Sequence, residues 1–407
     1  MNRFFTILCC FIGMNALYAQ DCTGGRYYTE IFTTLDSAVN ITYGQAPNGQ
    51  SLELDYWKPS GDLETNRPLI IMAHGGSFIG GSKEDLAIRM LCRMYARMGY
   101  VAVSMEYRLL TLDSVFMTSN LERTFLQHVY RSVHDQMAAI RFFRKSVAED
   151  GNPYGINPNL IIVGGISAGA ILGMQTTYMD SPAKLPALIA ESIDGGFFGD
   201  SGNPGYSSVP QAVLNYCGAL KDTSHLVFGD QPMVSIHGTA DDVVPYGTDY
   251  ARPMPGVDLT LLSGSGDVAI RASHVGVDNP LLTYVGRGHC DFWANAAQSD
   301  STNQFVKDFL EDQICIKHLY ENNQDHALYA AVYPNPTTGI LQVDLPGNEL
   351  GAQIQIINAL GAVLHSEKIP AHTHAFSLDA LSNKAPGMYW LKINSGSKST
   401  VLKVLRK

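Results

Sequence analysis

Between about Phe32 and Tyr56, apolar and polar residues alternate in two short stretches, "AVNITYG" and "SLELDYW". The turn-forming "APNGQ" separates them, so the pattern predicts an antiparallel hairpin. From Pro68 onward the texture changes to unbroken apolar runs: "PLIIMAHGG", "YVAVSMEYRL", "NLIIVGGIS", "PQAVLNYCGAL", "PMVSIHGTAD" and "LLTYVGRGH". Runs without alternation suit strands buried on both faces. Between them, "KEDLAIRMLCRMYARMG" and "VHDQMAAIRFFRKSVAED" carry apolar residues at intervals of three and four, which predicts helices. Alternating strand and helix predicts an α/β fold: a mostly parallel sheet with helices on both faces and its reactive loops at the carboxyl ends of the strands.

Beyond Cys315 the chain turns polar and turn-rich, and residues 316–330 read as a linker. Residues 331–407 return to short alternating strands ("ILQVDL", "QIQIINALGAVLHSEKI", "HAFSLDAL", "GMYWLKI", "TVLKVLRK"), which predicts a small all-β antiparallel sandwich. Charge marks the same boundary, with seven Lys or Arg against four Asp or Glu in 331–407 while the whole chain carries a net charge of -10. At the other end, Arg3 precedes an apolar stretch from Phe4 to about Leu17 and then the small residue Ala19. That stretch is shorter than the roughly 20 residues a membrane anchor needs, so 1–19 reads as a secretory signal cleaved after Ala19. The expected organisation is therefore signal 1–19, catalytic domain 20–315, linker 316–330 and terminal sandwich 331–407.

The composition, 45% hydrophobic and 16% charged, is that of a folded soluble protein. The acidic balance disfavours nucleic acid and anionic membrane surfaces as partners, and no later segment is apolar for long enough to span a bilayer. Five cysteines follow the signal, at 22, 92, 217, 290 and 315, so at least one is unpaired. Cys22 with Cys92 would tie the new N-terminus to the body, and Cys290 with Cys315 would brace the region around His289, although sequence alone does not fix connectivity. None has metal-ligand spacing with another Cys or His, and no metal or organic cofactor is called for.

Within "LIIVGGISAGAILGM" a lone hydroxyl separates a strand from a helix. The chain must reverse sharply at Ser167, and only small neighbours such as Gly165 and Gly169 leave room for the turn, which lifts the hydroxyl above the sheet beside a helix N-terminus. An ordinary Gly-rich strand-to-helix turn has the same local composition, so the chemistry depends on partners. A serine needs a base to take its proton and a carboxylate to orient the base. "VSIHGTADDVVPYG" delivers Asp241 and Asp242 from one strand end, although such a pair also caps turns, and "LLTYVGRGHCDFW" delivers His289 from the next. The rival His274 lies in "DVAIRASHVGV", which reads as helix, and His237 reads as a support for the acid loop. "AHGGSFIGGS" follows a strand, and its small residues let backbone N–H groups approach a substrate; Gly76 and Ser77, with Ala168 after the nucleophile, are the expected oxyanion donors. His74 is expected to fix this loop. A phosphate-binding loop is the alternative, but the Lys and Ser/Thr it requires are absent.

With "HGGSF", "GISAG", "HGTAD" and "GRGH" in this order, the chain resembles the α/β-hydrolase family, specifically secreted carboxylesterases with an "HGG" oxyanion loop, over roughly residues 30–312. The resemblance implies a triad of Ser167, Asp241 and His289, with Asp241 favoured over Asp242 by its place in "HGTAD". Ser77 stands where the esterase loop often has a third glycine. The tail, through "YPNPTTG", "GMYWLKI" and "KVLRK", resembles the C-terminal sorting (Por) domain of the Bacteroidetes type nine secretion system. That resemblance implies export through the periplasm and outer membrane to a secreted or cell-surface location, with the secretion machinery as partner. A carbohydrate-binding sandwich is the alternative there, through Tyr389 and Trp390, but on an alternating strand core packing explains them more simply.

The expected function is serine carboxylesterase action on a small-molecule or polysaccharide-linked ester. A serine peptidase of the same fold and a non-catalytic binding protein on a hydrolase scaffold are the alternatives. Phe78 and the glycine-rich segment 194–208, with Phe197, Phe198 and Tyr206, are the expected substrate-binding elements.

Overall fold

A computed structural model describes residues 22–190, 192, 195–254, 256–316, 330–333, 335–345, 348, 350–358, 362–396 and 398–407. The signal segment with its cut after Ala19, and all but the ends of the linker, lie outside the described residues.

The hairpin foreseen from alternation is β1 (Leu35–Gln45) paired antiparallel with β2 (Ser51–Pro59). The apolar runs become β3 (Arg67–Ala73), β4 (Val101–Met105), β5 (Ile156–Ile166), β6 (Ala212–Tyr216), the short β7 (Ala219–Leu220), β8 (Met233–Gly238) and, after β9 (Thr248–Tyr250) and β10 (Leu261–Gly264), β11 (Leu281–Tyr284). The main sheet has eight strands in the order β1-β2-β4-β3-β5-β6-β8-β11. Every pairing from β4 to β11 is parallel. The continuous apolar character of the inner runs follows from this: β3 and β4 are buried at every position because helices cover both faces.

One face packs on α3 (Leu121–Glu149), α4 (Ala168–Tyr178) and α5 (Ser265–Val275), the other on α1 (Leu86–Arg97) and α6 (Ala296–Glu311). The short α2 (Leu112–Met117) precedes α3. Successive side chains of β5 divide between the two layers, with Ile161 and Val163 toward α3 and α4, and Ile162 and Ile166 toward α1. Side reactions of pattern and packing show in α1: Asp85 caps its first turn by accepting from the N–H groups of Ala87 and Ile88, while Ile88, Leu91, Cys92 and Tyr95 form the stripe it buries. β7, β9 and β10 form a separate three-stranded sheet, which the sequence pattern did not announce. Among the described residues no helix is long and apolar enough to cross a membrane.

The disulfides differ from both expected pairings. Cys22 bonds Cys315, Cys217 bonds Cys290, and Cys92 is the free thiol among the described residues. The reason is placement: Cys92 lies on the inward stripe of α1 with no exposed surface, and burial pushes its thiol well above the ordinary range. Cys22 instead meets the turn that follows α6, and Cys290 meets Cys217, the residue after β6.

The tail forms two antiparallel sheets. β12 (Ala331–Tyr333), β13 (Ile340–Asp344) and β16 (Ala375–Asp379) make one; β14 (Ala352–Asn358), β15 (Val363–Ile369), β17 (Gly387–Ser395) and β18 (Lys398–Arg406) make the other. Leu341, Val343 and Leu378 of the first share a core with Ile354, Leu391, Ile393 and Val404 of the second. Along β17 the burial alternates, so Tyr389 enters this core and its neighbour Trp390 occupies the opposite, half-buried face.

Candidate active site

Ser167 sits between β5 and α4 with φ 57° and ψ -116°, a backbone conformation that side-chain-bearing residues rarely hold. Its neighbours permit it. A Cβ on Gly169 would lie 2.1 Å from the carbonyl oxygen of Ala73, and one on Gly165 would lie 2.3 Å from the same atom. The Ser167 N–H donates to the carbonyl of Tyr216, at 2.8 Å, which fixes the turn against β6.

At this elbow the Ser167 hydroxyl stands 2.8 Å from Nε2 of His289. On the far side of the ring, Nδ1 of His289 is 2.8 Å from Oδ2 of Asp241. Asp241 follows β8 and His289 follows β11, adjacent parallel strands, so both reach the sheet edge where β5 delivers the serine. The Asp241 carboxylate is also held by the N–H groups of Val243 and Val244, which donate to Oδ1 at 3.0 and 2.9 Å. Burial alone would raise its pKa, but hydrogen bonds from His237 and His289 outweigh burial and hold the group well below the ordinary carboxylate range. It is therefore ionised wherever the histidines are free to act. Asp242 makes no comparable contact with His289 among the described residues.

The support of the acid loop expected of His237 takes a definite form. His237, fully buried, places Nε2 3.1 Å from Asp241 Oδ2 and 3.0 Å from the Val244 carbonyl, and Nδ1 2.8 Å from the Ser265 hydroxyl. Two acceptors face Nε2, so that nitrogen carries the proton and Nδ1 accepts from Ser265. Ser265 in turn accepts from Asn215, which also donates to Ser235. The place of His237 just before the acid loop was the signal for this; Ser265 and Asn215 carry none of their own.

The "HGGSF" loop turns back through three successive positive φ angles, 112° at Gly76, 55° at Ser77 and 59° at Phe78. Gly76 is required there, since a Cβ would lie 2.1 Å from the Gly80 carbonyl oxygen. The loop brings Ser77 and Phe78 to the same cavity wall as Ser167 and Ala168. Ala168, first residue of α4, has an N–H outside the intrahelical ladder and at the positive end of the helix dipole. His74 braces the loop: Nδ1 is 2.7 Å from the Gly75 carbonyl, the ring stacks on Tyr107 at 4.3 Å, and Tyr107 donates to the His74 carbonyl at 2.8 Å.

Of the expected substrate-binding residues, Phe78 lines this cavity and the other three do not. The segment holding them is strapped along α3 instead. Ser201 donates to Asp135, Arg141 to the carbonyls of Phe198 and Gly202, and Asn203 to Tyr43. Tyr206 donates to Glu149, the last residue of α3 and roughly 29 Å along the helix axis from Tyr130 at the cavity. Most of these anchors come from α3, with the Tyr43 carbonyl of β1 beside them, so the aromatic segment runs along that helix. His274 lies in the last turn of α5 and does not join the triad geometry. Among the described residues, the one cluster with metal-like proximity, Cys217, His289 and Cys290, has both sulfurs committed to a disulfide and offers no thiolate.

Two family models match parts of the chain: BD-FAE over residues 54–194, and the secretion system C-terminal sorting domain over residues 331–407. A non-reducing polyketide synthase of Emericella nidulans is 28% identical over 139 residues, 34% of this chain; the match spans 5% of that enzyme. Among solved structures, Thermogutta terrifontis esterase 2 phosphorylated by paraoxon is 22% identical with a TM-score of 0.48, over 68% of this chain and 94% of that one. Its propionate-bound form gives the same figures, and the butyrate-bound form is 21% identical with a TM-score of 0.47 over the same shares.

Proposed function

We propose that the chain is a serine esterase of the α/β-hydrolase type, exported by way of its C-terminal sorting domain, in which Ser167, His289 and Asp241 hydrolyse carboxylic esters outside the cell. The hydrogen bond between Ser167 Oγ and His289 Nε2, 2.8 Å at a strained elbow, carries this reading. Ser167 Oγ attacks the ester carbonyl while Nε2 of His289 takes its proton. Asp241 holds the ring in the tautomer that leaves Nε2 free and stabilises the imidazolium once formed. The carbonyl oxygen, now negative, turns toward the amides of Ala168 and of the Gly76–Ser77 turn. Nε2 then hands its proton to the leaving alcohol oxygen, and an acyl group remains on Ser167. Water, deprotonated by the same nitrogen, releases the acid and restores the serine.

The domain organisation follows the same proposal: removal of 1–19 after Ala19, passage through the periplasm, and export directed by 331–407, with 20–315 as the hydrolase. The test is labelling with a fluorophosphonate probe, read by peptide mass. One adduct per chain on Ser167, lost in Ser167→Ala together with turnover of aryl acetates, is the expected result. No adduct on the folded protein returns the chain to the class of binding proteins, and turnover retained in pure Ser167→Ala overturns the assignment.

A further inference from the structure

The Cys217–Cys290 disulfide brings two sulfurs against the nitrogen proposed as the base. Cys290 Sγ lies 3.5 Å from His289 Nε2, and the ligand atoms that Cys217, Cys290 and His289 offer lie within 4.8 Å of one another. On one tetrahedral zinc, with Zn–S of about 2.3 Å and Zn–N of about 2.0 Å, a sulfur and a nitrogen stand about 3.5 Å apart and two sulfurs about 3.8 Å apart. The separation of Cys290 Sγ from Nε2 is already that of two ligands sharing an ion. Only the bond between the sulfurs closes the site. The ring is prepared in the same sense: Nδ1 of His289 is 2.8 Å from Asp241 Oδ2, the carboxylate support that metal-binding histidines use, and this leaves the Nε2 lone pair free.

The two cysteines differ in access. Cys217 is buried and its N–H donates to the Ile236 carbonyl at 2.9 Å, whereas Cys290 is half-buried in the loop after β11. A dithiol reductant attacks the Cys290 sulfur, forming a mixed disulfide and releasing Cys217 as a thiolate. Its second thiol then closes the reductant's own disulfide and frees Cys290. Two electrons pass from the dithiol to the cysteine pair. A divalent cation taken up by both sulfurs displaces the protons they still carry into the buffer. Resting on the esterase reading above, we propose that Cys217, Cys290 and His289 form a latent site for a thiophilic divalent cation of the zinc type, closed by the disulfide and opened by a dithiol, and that the bound ion silences the esterase. The ion occupies the lone pair to which Ser167 Oγ, 2.8 Å away, must pass its proton.

The test uses the full chain, reduced with dithiothreitol and freed of it by anaerobic gel filtration. Cobalt(II), a spectroscopic substitute for zinc, should bind the reduced chain with sulfur-to-cobalt charge transfer in the near ultraviolet and give no such band with the oxidised chain. The band should be missing from the reduced double variant Cys217→Ser, Cys290→Ser, which keeps Cys22, Cys92 and Cys315, and His289→Ala should weaken cobalt binding about a hundredfold. On an aryl acetate, micromolar zinc should lower kcat of the reduced chain about a hundredfold relative to the same chain with a chelator, the usual worth of a general base, and leave the oxidised chain unchanged. Cys217→Asp retains a ligand, suits the left-handed backbone at φ 53° and cannot form the bond, so zinc should inhibit it with no reductant present. A reduced chain without the cobalt band, a band that persists in the double serine variant, equal effects of zinc on the oxidised and reduced forms, or a Cys217→Asp variant indifferent to zinc overturns the proposal. Failure of the esterase reading looks different: neither form turns over any ester in the presence of chelator, while the cobalt titration still decides the site.

Discussion

His237 Nε2 addresses the same Asp241 oxygen, Oδ2, that His289 Nδ1 addresses, at 3.1 Å against 2.8 Å. One carboxylate oxygen thus holds two imidazoles, one partly exposed beside Ser167 and one fully buried. The buried ring fixes the carboxylate; the outer ring is the proposed base.

His237→Phe should keep the shape of the site while deleting this anchor. Loss of a hydrogen bond to a charged group is worth about 1.5–3 kcal/mol, so kcat should fall roughly tenfold to a hundredfold with KM little changed. Steady-state kinetics on an aryl acetate checks this, and an unaltered kcat would remove His237 from any positioning role.

The Cys217–Cys290 disulfide fastens the residue next to His289 to the end of β6, whose last carbonyl also receives the Ser167 N–H. Replacing both cysteines by serine should loosen the imidazole relative to the hydroxyl. Small displacements of reacting groups are costly, so kcat is expected to drop about tenfold or more, and fluorophosphonate labelling of Ser167 should slow in proportion. Equal labelling rates would show that the bridge serves stability alone.

The glycines at the elbow make a sharper stability prediction. Gly169→Ala forces a Cβ to within 2.1 Å of the Ala73 carbonyl oxygen, whereas a Cβ on Gly80 meets nothing within 4 Å. Denaturant unfolding should show Gly169→Ala destabilised by about 3 kcal/mol and Gly80→Ala changed by about 0.5 kcal/mol or less. Comparable values for the two would contradict the close approach of β3 to α4.

Asp62 gives the pH prediction. Its carboxylate accepts from Arg26 at 2.7 and 2.9 Å and from Arg67 at 2.8 Å. Burial would raise its pKa, but these guanidinium bonds outweigh burial and bring it down to about 2. A group lowered on folding contributes stability that is full above its unfolded value near 4 and disappears as the pH falls toward 2. Asp62→Asn should therefore cost about 2 kcal/mol at neutral pH and progressively less over that interval. Parallel pH profiles for the two proteins would refute the linkage.

The sequence exposed the parts of this site that obey local rules. Ser167, Asp241 and His289 each close an unbroken apolar run, and such runs become neighbouring parallel strands, so order along the chain translates into a shared edge. The elbow glycines were legible for the same steric reason that makes them necessary. What stayed hidden depends on distant placement. Nothing near Cys22 tells it from Cys217 as a partner for Cys290 or Cys315. The aromatic segment around Phe197 was read as a substrate-binding element because its composition suits one, yet buried Asp135 and Arg141 hold it along α3. Tyr389 and Trp390 looked equivalent until pairing in β17 put one inside and one outside. Ser265 and Asn215 are small polar residues of a kind found anywhere.

The Cys22–Cys315 bond joins residues 293 apart and so makes the hydrolase body a covalent ring. A protease that severs one exposed loop within it opens the ring without producing two fragments. Such a nicked molecule migrates as one species until a thiol is added, while a cut beyond Cys315 sheds the tail at once. The body is thereby built to survive the kind of single clip by which the tail would be lost.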